Sequence, residues 1–311
     1  MILTVCPNTA MDKILFIEAW TPGIPMRTDR IIHSVGGKGL NSAIVLGQLG
    51  VETVGLGFFA GDIGRELADL VDAYGVQVDP VWVDGSNRIS HVIAEKNTRQ
   101  QNHVIGGNPI VSPAQAEELI WRYESHLQKA DWVVLAGTLP HSLPDDFYVP
   151  LIIAAQKKGV PVLIDAQKAF MRKAIQVKPT VTKMNREEFG WTFDLPYEPL
   201  ADLVSNVQDM KAKYDLKDVV ITMGKDGIVS VTSDGIFHAR APEQAVVNAA
   251  GAGDAVSAVL AWRLSQGDSW EGALRRAAAV SASSVTTERT GDIDVTLTGE
   301  LEKMTEVKRL A

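Results

Sequence analysis

Gly251-Ala252-Gly253, three residues with little or no side chain, run straight into a carboxylate, Asp254. Behind them Val256, Val259, Leu260, Trp262 and Leu264 recur at helical spacing, so 247–256 reads as a glycine loop that becomes the first turn of a helix. Free backbone N–H groups at such a turn collect at the positive end of the helix dipole and form an anion site. A carboxylate at the lip of that site repels an anion. It makes chemical sense if it takes a proton from a group attacking a phosphate. The other reading is a glycine turn in which Asp254 is an ordinary first-turn acid, and these ten residues leave both open. A second glycine loop, Gly36-Gly37-Lys38-Gly39, opens another helical series through Leu40, Ala43, Ile44, Leu46 and Leu49, stopped by Gly50.

Two common nucleotide motifs are excluded. Lys38 is followed by Gly39 rather than Ser or Thr, so there is no Walker A run. The run Gly55 to Gly61, with Asp79 downstream, has its last glycine one position late for a dinucleotide fingerprint and lies within an apolar strand-like segment.

Such loops need a scaffold. Apolar runs at 2–6, 53–59, 132–136, 162–165, 180–184 and 219–222 read as strands, and amphipathic series at 64–74, 112–129, 145–158, 200–214, 255–264 and 270–288 as helices. A hairpin is expected around Ser233-Asp234-Gly235. The alternation implies a mostly parallel sheet covered on both faces, with ligands at the carboxyl ends of its strands. Segments at about 13–35 and 88–107 are strand-like only and suit a small sheet inserted as a lid into one α/β domain spanning 1–311, with Asn97-Thr98 as a hairpin turn. A lid would shield phosphoryl transfer from water. Trp121, Trp132 and Trp262 lie in apolar series and are expected in the core.

The chain has 311 residues, 46% hydrophobic and 22% charged, with a formal net charge of −8. That balance is globular and argues against a nucleic-acid or anionic-membrane partner. One cysteine, Cys6, permits no internal disulfide, and six histidines without metal spacing read as surface or lid residues, His103 being the one to examine for substrate contact. The apolar start 1–5 is too short for a signal-peptide core, and a cytoplasmic location is expected.

Gly36-Gly37-Lys38-Gly39-Leu40-Asn41 together with Asn248-Ala249-Ala250-Gly251-Ala252-Gly253-Asp254 resembles the PfkB carbohydrate kinase family across essentially the whole chain. Cys6-Pro7-Asn8-Thr9-Ala10-Met11-Asp12 and Ala136-Gly137-Thr138-Leu139-Pro140 point to its hexose-phosphate branch, which contains 1-phosphofructokinases and tagatose-6-phosphate kinases. The resemblance implies a ribokinase-like three-layer α/β/α sandwich with a β lid. It also implies ATP-dependent phosphorylation of a hydroxyl of fructose 1-phosphate, tagatose 6-phosphate or fructose 6-phosphate, and a homodimer formed through the lid. In that frame Asp254 is the general base, and Gly251, Ala252 and Gly253 form the anion hole. Asp12, Gly36, Gly37, Asn41 and Gly137 belong to the sugar. Lys38 and Arg88 suit the phosphate already on the substrate, with Arg27 a weaker candidate. Lys183, Asn185, Thr222, Gly224 and Gly227 fall on the nucleotide side with Gly251 and Gly253, and Glu188 would meet Mg²⁺ through water. Asp165 either acts through the metal's waters or caps the next helix.

Some residues depart from the family pattern: Met184 for Pro, Ala136 for Ser, Asn248-Ala249-Ala250 for Ser-Thr-Val, Ala166-Gln167 after Asp165 where Ser is usual, and no Thr-Glu within 98–109. Several line the sugar side, so the identity of the sugar is what they affect. Two other functions fit the same motifs: a kinase of an unphosphorylated sugar or nucleoside, and a sugar-phosphate sensor without turnover.

Overall fold

The computed structural model describes residues 1–95, 97, 101–107 and 109–310, with Gln101 and His103 described by backbone alone. It contains a ten-stranded sheet and a separate four-stranded one. The chain enters the large sheet at β1 (Ile2–Cys6), leaves it for β2 (Ala10–Ile17) and β3 (Ile31–Gly36), and returns through α1 (Lys38–Gln48) to β4 (Thr53–Ala60). Next come α2 (Gly61–Asp72) and β5 (Gln77–Val83), then β6 (Arg88–Glu95) and β7 (Gln101–Gly106) of the small sheet. A regular alternation follows: α3 (Pro113–His126), β8 (Trp132–Ala136), α4 (Tyr148–Lys157), β9 (Val162–Asp165), α5 (Lys168–Ala174) and β10 (Val181–Asn185). After α6 (Arg186–Phe193), α7 (Leu200–Tyr214) and β11 (Asp218–Thr222), β12 (Ile228–Val231) and β13 (Ile236–Arg240) form the expected hairpin. The chain closes with α8 (Ala252–Ser265), α9 (Trp270–Ser284), α10 (Val295–Met304) and β14 (Glu306–Arg309).

The large sheet runs β14-β13-β12-β11-β10-β9-β8-β1-β4-β5, parallel from β11 to β5 and antiparallel at the other edge. Its central strands are buried along their whole length because successive side chains enter two different cores. Leu3, Val5, Val133 and Leu135 pack with Tyr123, Leu151 and Val207 of α3, α4 and α7. Ile2 and Val134 pack with Val45, Val259 and Ala277 of α1, α8 and α9. Full burial of each aliphatic side chain is worth roughly 1.5–3 kcal/mol, so the two cores commit the chain to three layers. This is the α/β/α arrangement with a mostly parallel sheet expected from the alternation.

The small sheet has the order β3-β2-β6-β7 and begins at Ala10 rather than 13, which puts Asp12 inside a strand. Thr98 of the expected turn lies outside the described residues. α5, α10 and β14 were not anticipated, and the helix expected to reach 288 ends at Ser284. Trp121 is a correction: Leu119 and Tyr123 set the inward face of α3, so the residue between them points out and is 68% exposed. Among the described residues no helix is long and apolar enough to cross a membrane.

Candidate active site

The parallel strands β1, β8, β9, β10 and β11 end on one edge, where the N-termini of α1 and α8 also lie. Gly251 takes φ 86°, a left-handed turn that a side chain would strain, and directs the next amides into α8. A β-carbon there would also stand 2.8 Å from the nitrogen of Gly291. Asp254 is 6% exposed, and its Oδ2 accepts a hydrogen bond of 2.8 Å from Asn41 Nδ2 in α1. Ser42 Oγ donates to the backbone carbonyl of Asp254 at 2.9 Å, so the two glycine-loop helices are tied at this residue. Burial, reinforced by the charge of Asp165, pushes the Asp254 carboxyl up to about 7 against the pull of Lys38, Lys183 and Asn41. A carboxyl so placed is protonated and deprotonated near neutral pH.

Beside it lies a closed charge network. Lys38 Nζ donates to Asp165 Oδ1 and to Glu188 Oε1, both at 2.7 Å. Lys183, itself 2% exposed, donates to Asp165 Oδ2 at 2.8 Å, as does Ser257 Oγ. Burial would raise the Asp165 carboxyl, but Lys183 and Lys38 outweigh it and hold it down at about 2. Lys38 is half-buried, and its loss of hydration favours the neutral form, yet Asp165, Glu188 and Asp254 keep it charged well above the usual lysine range. Asp165 therefore caps no helix. It pairs two lysines, a role that its position at a strand end did not reveal.

The two cations expected on one substrate phosphate hold different partners. Lys38 faces carboxylates, whereas Arg88 Nη2 donates to the carbonyl of Asn8 at 3.3 Å. Arg27 is exposed in the connection between β2 and β3. On the same side Asp12 is 8% exposed and packs against Gly36, where a β-carbon would stand 2.4 Å from Asp12 Oδ1. Burial pushes the Asp12 carboxyl up to about 6, opposed by Thr290, Arg88 and Ser90. Asn8 Nδ2 donates to Thr138 Oγ1 at 3.1 Å, and Tyr148 donates to the carbonyl of Gly137 at 3.1 Å. Asn8 Oδ1, Asn41 Oδ1 and Arg88 Nε are buried without a partner among the described residues. Buried polar atoms of this kind mark places where a ligand supplies the missing group. Asn8 and Thr138 stood inside the runs 6–12 and 136–140 without being singled out.

A cavity of about 600 Å³ opens from the glycine turn of α8. Lys38, Lys183, Asn185, Gly251, Gly253 and Asp254 line its charged end, with Thr222, Gly224 and Gly227 along the β11 edge. Its far wall was not anticipated: Pro242, Glu243, Gln244 and Val246 in the loop after β13, and Ala278, Ser281, Ala282 and Val285 of α9 and its end. That last set recurs at i, i+3, i+4 and i+7, which from sequence is indistinguishable from a core stripe. A β-carbon on Gly253 would stand 3.0 Å from Lys183 Nζ, so the buried ammonium lies directly behind the anion turn.

Asn185 and Glu188 form a reciprocal cap of α6: Glu188 N donates to Asn185 Oδ1 at 2.7 Å and Asn185 N to Glu188 Oε2 at 3.0 Å. The other oxygen of Glu188, Oε1, lies outside this cap and accepts from Lys38 Nζ at 2.7 Å. Among the described residues no group of three or more His, Cys, Asp or Glu could hold a metal ion. Asp165 and Glu188 converge on Lys38 Nζ at the cavity wall, and two such carboxylates fit Mg²⁺, which retains waters and takes phosphate oxygens rather than a protein cage. Of the histidines, His33 faces Glu66, His126 faces Asp79 and His238 meets the carbonyl of Asp226, while the side chain of His103 lies outside the described residues.

The chain is similar to known proteins. The pfkB family carbohydrate kinase profile matches residues 5–296. The 1-phosphofructokinase of Bacillus subtilis (strain 168) is 29% identical over 258 residues, 83% of this chain and 84% of that one. A D-tagatose-1-phosphate kinase of Bacillus licheniformis is 28% identical over 297 residues, 94% of this chain and 95% of its own. The crystal structure of phosphofructokinase-2 from Escherichia coli in complex with substrates and products superposes with a TM-score of 0.89 at 19% identity, over 97% of this chain and 98% of that one. At that identity the last likeness is one of fold. The chain belongs to the pfkB family of carbohydrate kinases.

Proposed function

We propose that the protein is an ATP-dependent kinase that phosphorylates a free hydroxyl of a ketohexose phosphate, with a ketohexose 1-phosphate as first choice. The names of both curated relatives point to a sugar carrying its phosphate at position 1. One observation carries the reading: Asp254 is buried at the glycine turn of α8, hydrogen-bonded by Asn41 from the other glycine-loop helix, and titrates near neutral pH.

In this reading the nucleotide lies in the cavity along β11 with its terminal phosphoryl group at 251–253. The sugar lies under the small sheet, where Asp12, Asn8, Asn41 and Arg88 meet its hydroxyls and phosphate. Asp254 takes the proton as the hydroxyl oxygen attacks in line, and no phosphoenzyme forms. The amides at the turn and the nearby ammonium of Lys183 stabilise charge on the equatorial oxygens. Glu188, with Asp165, would hold Mg²⁺, which supplies charge neutralisation between the phosphates. Ile31, Val104 and Ile105 leave apolar surface on the small sheet, 51%, 57% and 58% exposed, and a second lid would cover it in a homodimer.

ATP consumption measured against a panel of sugars tests the reading. Fructose 1-phosphate or tagatose 1-phosphate should be turned over, and unphosphorylated fructose, tagatose and nucleosides far more slowly. Binding of the sugar phosphates without any ATP consumption would leave a sensor instead.

A further inference from the structure

Lys38 presents a conflict between place and partner. Its stem stands beside Gly137 on the sugar side, where a β-carbon on that glycine would lie 3.9 Å from Lys38 Cβ. Its ammonium reaches the other way, to Asp165 Oδ1 and Glu188 Oε1 at 2.7 Å each. The opposite oxygen of each carboxylate is already engaged by the fold: Asp165 Oδ2 by Lys183 and Ser257, Glu188 Oε2 by the amide of Asn185. The two remaining oxygens thus converge on one point, no farther apart than twice the contact distance, and a single cation can satisfy both.

Resting on the kinase reading above, we propose that Lys38 and the divalent metal compete for this one pair of oxygens, so that metal entering with the nucleotide transfers the ammonium to the phosphate groups. Electrostatics forces the two events to go together. A buried carboxylate pair does not tolerate loss of its counter-ion, so Lys38 leaves only as another cation arrives. A displaced ammonium, still lining the cavity with Gly253 and Asp254, needs an anion in turn. Bare metal offers none, whereas metal with nucleotide supplies a cation for the carboxylates and phosphate oxygens for the lysine. The exchange turns Lys38 from a structural counter-ion into a positioning cation between the transferring phosphoryl group and the sugar phosphate.

The test needs neither sugar nor turnover. Mn²⁺ alone is titrated into the full-length protein and its binding read by electron paramagnetic resonance or water-proton relaxation. The wild type should bind Mn²⁺ weakly, and Lys38→Met about tenfold more tightly or better, because the competitor is gone. Adding Glu188→Gln should abolish the gain, and Lys38→Arg, which keeps a cation on both oxygens, should show none. Should Lys38→Met fail to fold, Lys38→Gln keeps donors for the carboxylates without the charge and should show the same gain. Unchanged or weaker Mn²⁺ binding in a folded neutral variant overturns the exchange, as does a gain in Lys38→Arg. A protein that shows the gain but phosphorylates no sugar overturns only the kinase reading, and normal turnover without the gain overturns only the exchange.

Discussion

The two halves of the cleft solve opposite problems with the same kinds of residue. On the nucleotide side the inner charges are paired, Lys38 with Asp165 and Glu188 and Lys183 with Asp165, while Asn185 and Glu188 bond each other's backbone. On the sugar side Asn8 Oδ1, Asn41 Oδ1 and Arg88 Nε are buried and without a partner among the described residues, and burial raises the Asp12 carboxyl to about 6. The difference follows from magnitude. An unpaired buried ion costs several kcal/mol, while an unmet neutral hydrogen-bonding group costs about 1–3 kcal/mol. Ions must therefore be balanced within the fold, whereas amide oxygens can wait for sugar hydroxyls. Pre-organisation sits on one side and recognition on the other.

Asp254 stands on the seam, and removing it should give the largest effect. Asp254→Asn keeps the shape and loses the proton acceptor, so kcat should drop by about 10²–10⁴-fold. Calorimetric ATP affinity should stay within a few-fold, because the anion turn is backbone. A loss below tenfold would move the base elsewhere.

The halves should then separate by stability. Asp165→Asn leaves the ammonium of Lys183, 2% exposed, without its carboxylate, and should cost about 3–5 kcal/mol in urea unfolding. Asn8→Ala in the sugar half removes an already unsatisfied oxygen and one neutral hydrogen bond, to Thr138, and should cost well under half of that. Equal costs would erase the distinction between a balanced and an open half.

Recognition supplies the next effect. If Arg88 meets the substrate phosphate as proposed, Arg88→Met deletes a charge-assisted contact worth about 1.5–3 kcal/mol and should raise KM for the sugar phosphate by roughly 10–100-fold. KM for ATP should move little. A parallel rise in both would place Arg88 on the nucleotide side.

The same contrast explains what could be read from the residues alone. The three layers, the parallel sheet, the glycine turn at 251–253 and the carboxylate after it follow from local patterns, since periodicity and glycine runs are properties of adjacent residues. The destination of Lys38 does not. A lysine between a sugar loop and a nucleotide loop can reach either, and only the spatial convergence of Asp165, at the end of β9, and Glu188, in the first turn of α6, decides. The far wall of the cavity was hidden for a related reason: Ala278, Ala282 and Val285 have the spacing and size of core residues. Asn8 and Thr138 were missed because the orphaned Asn8 Oδ1 and the hydrogen bond between the two residues exist only once β1 and β8 lie side by side.

The smallest effect is the most specific to the seam. Burial and Asp165 raise the Asp254 carboxyl to about 7, and Lys38, Lys183 and Asn41 pull it down. A general base works ionised, so kcat/KM should fall as pH drops through about 7 and level off above it. Lys183→Met removes a cation that favours the ionised form and should move the midpoint to higher pH. Asp165→Asn removes a charge that opposes ionisation and should move it to lower pH, although the same change frees Lys183. Because one substitution deletes positive and the other negative charge from one network, a general disturbance of the site would shift both midpoints the same way. Opposite displacements of the acid limb, read from full pH profiles of the two folded variants, would tie the rate to the Asp254 proton; a limb that neither variant moves would belong to Asp12, which burial has raised to about 6 against the pull of Thr290, Arg88 and Ser90 instead.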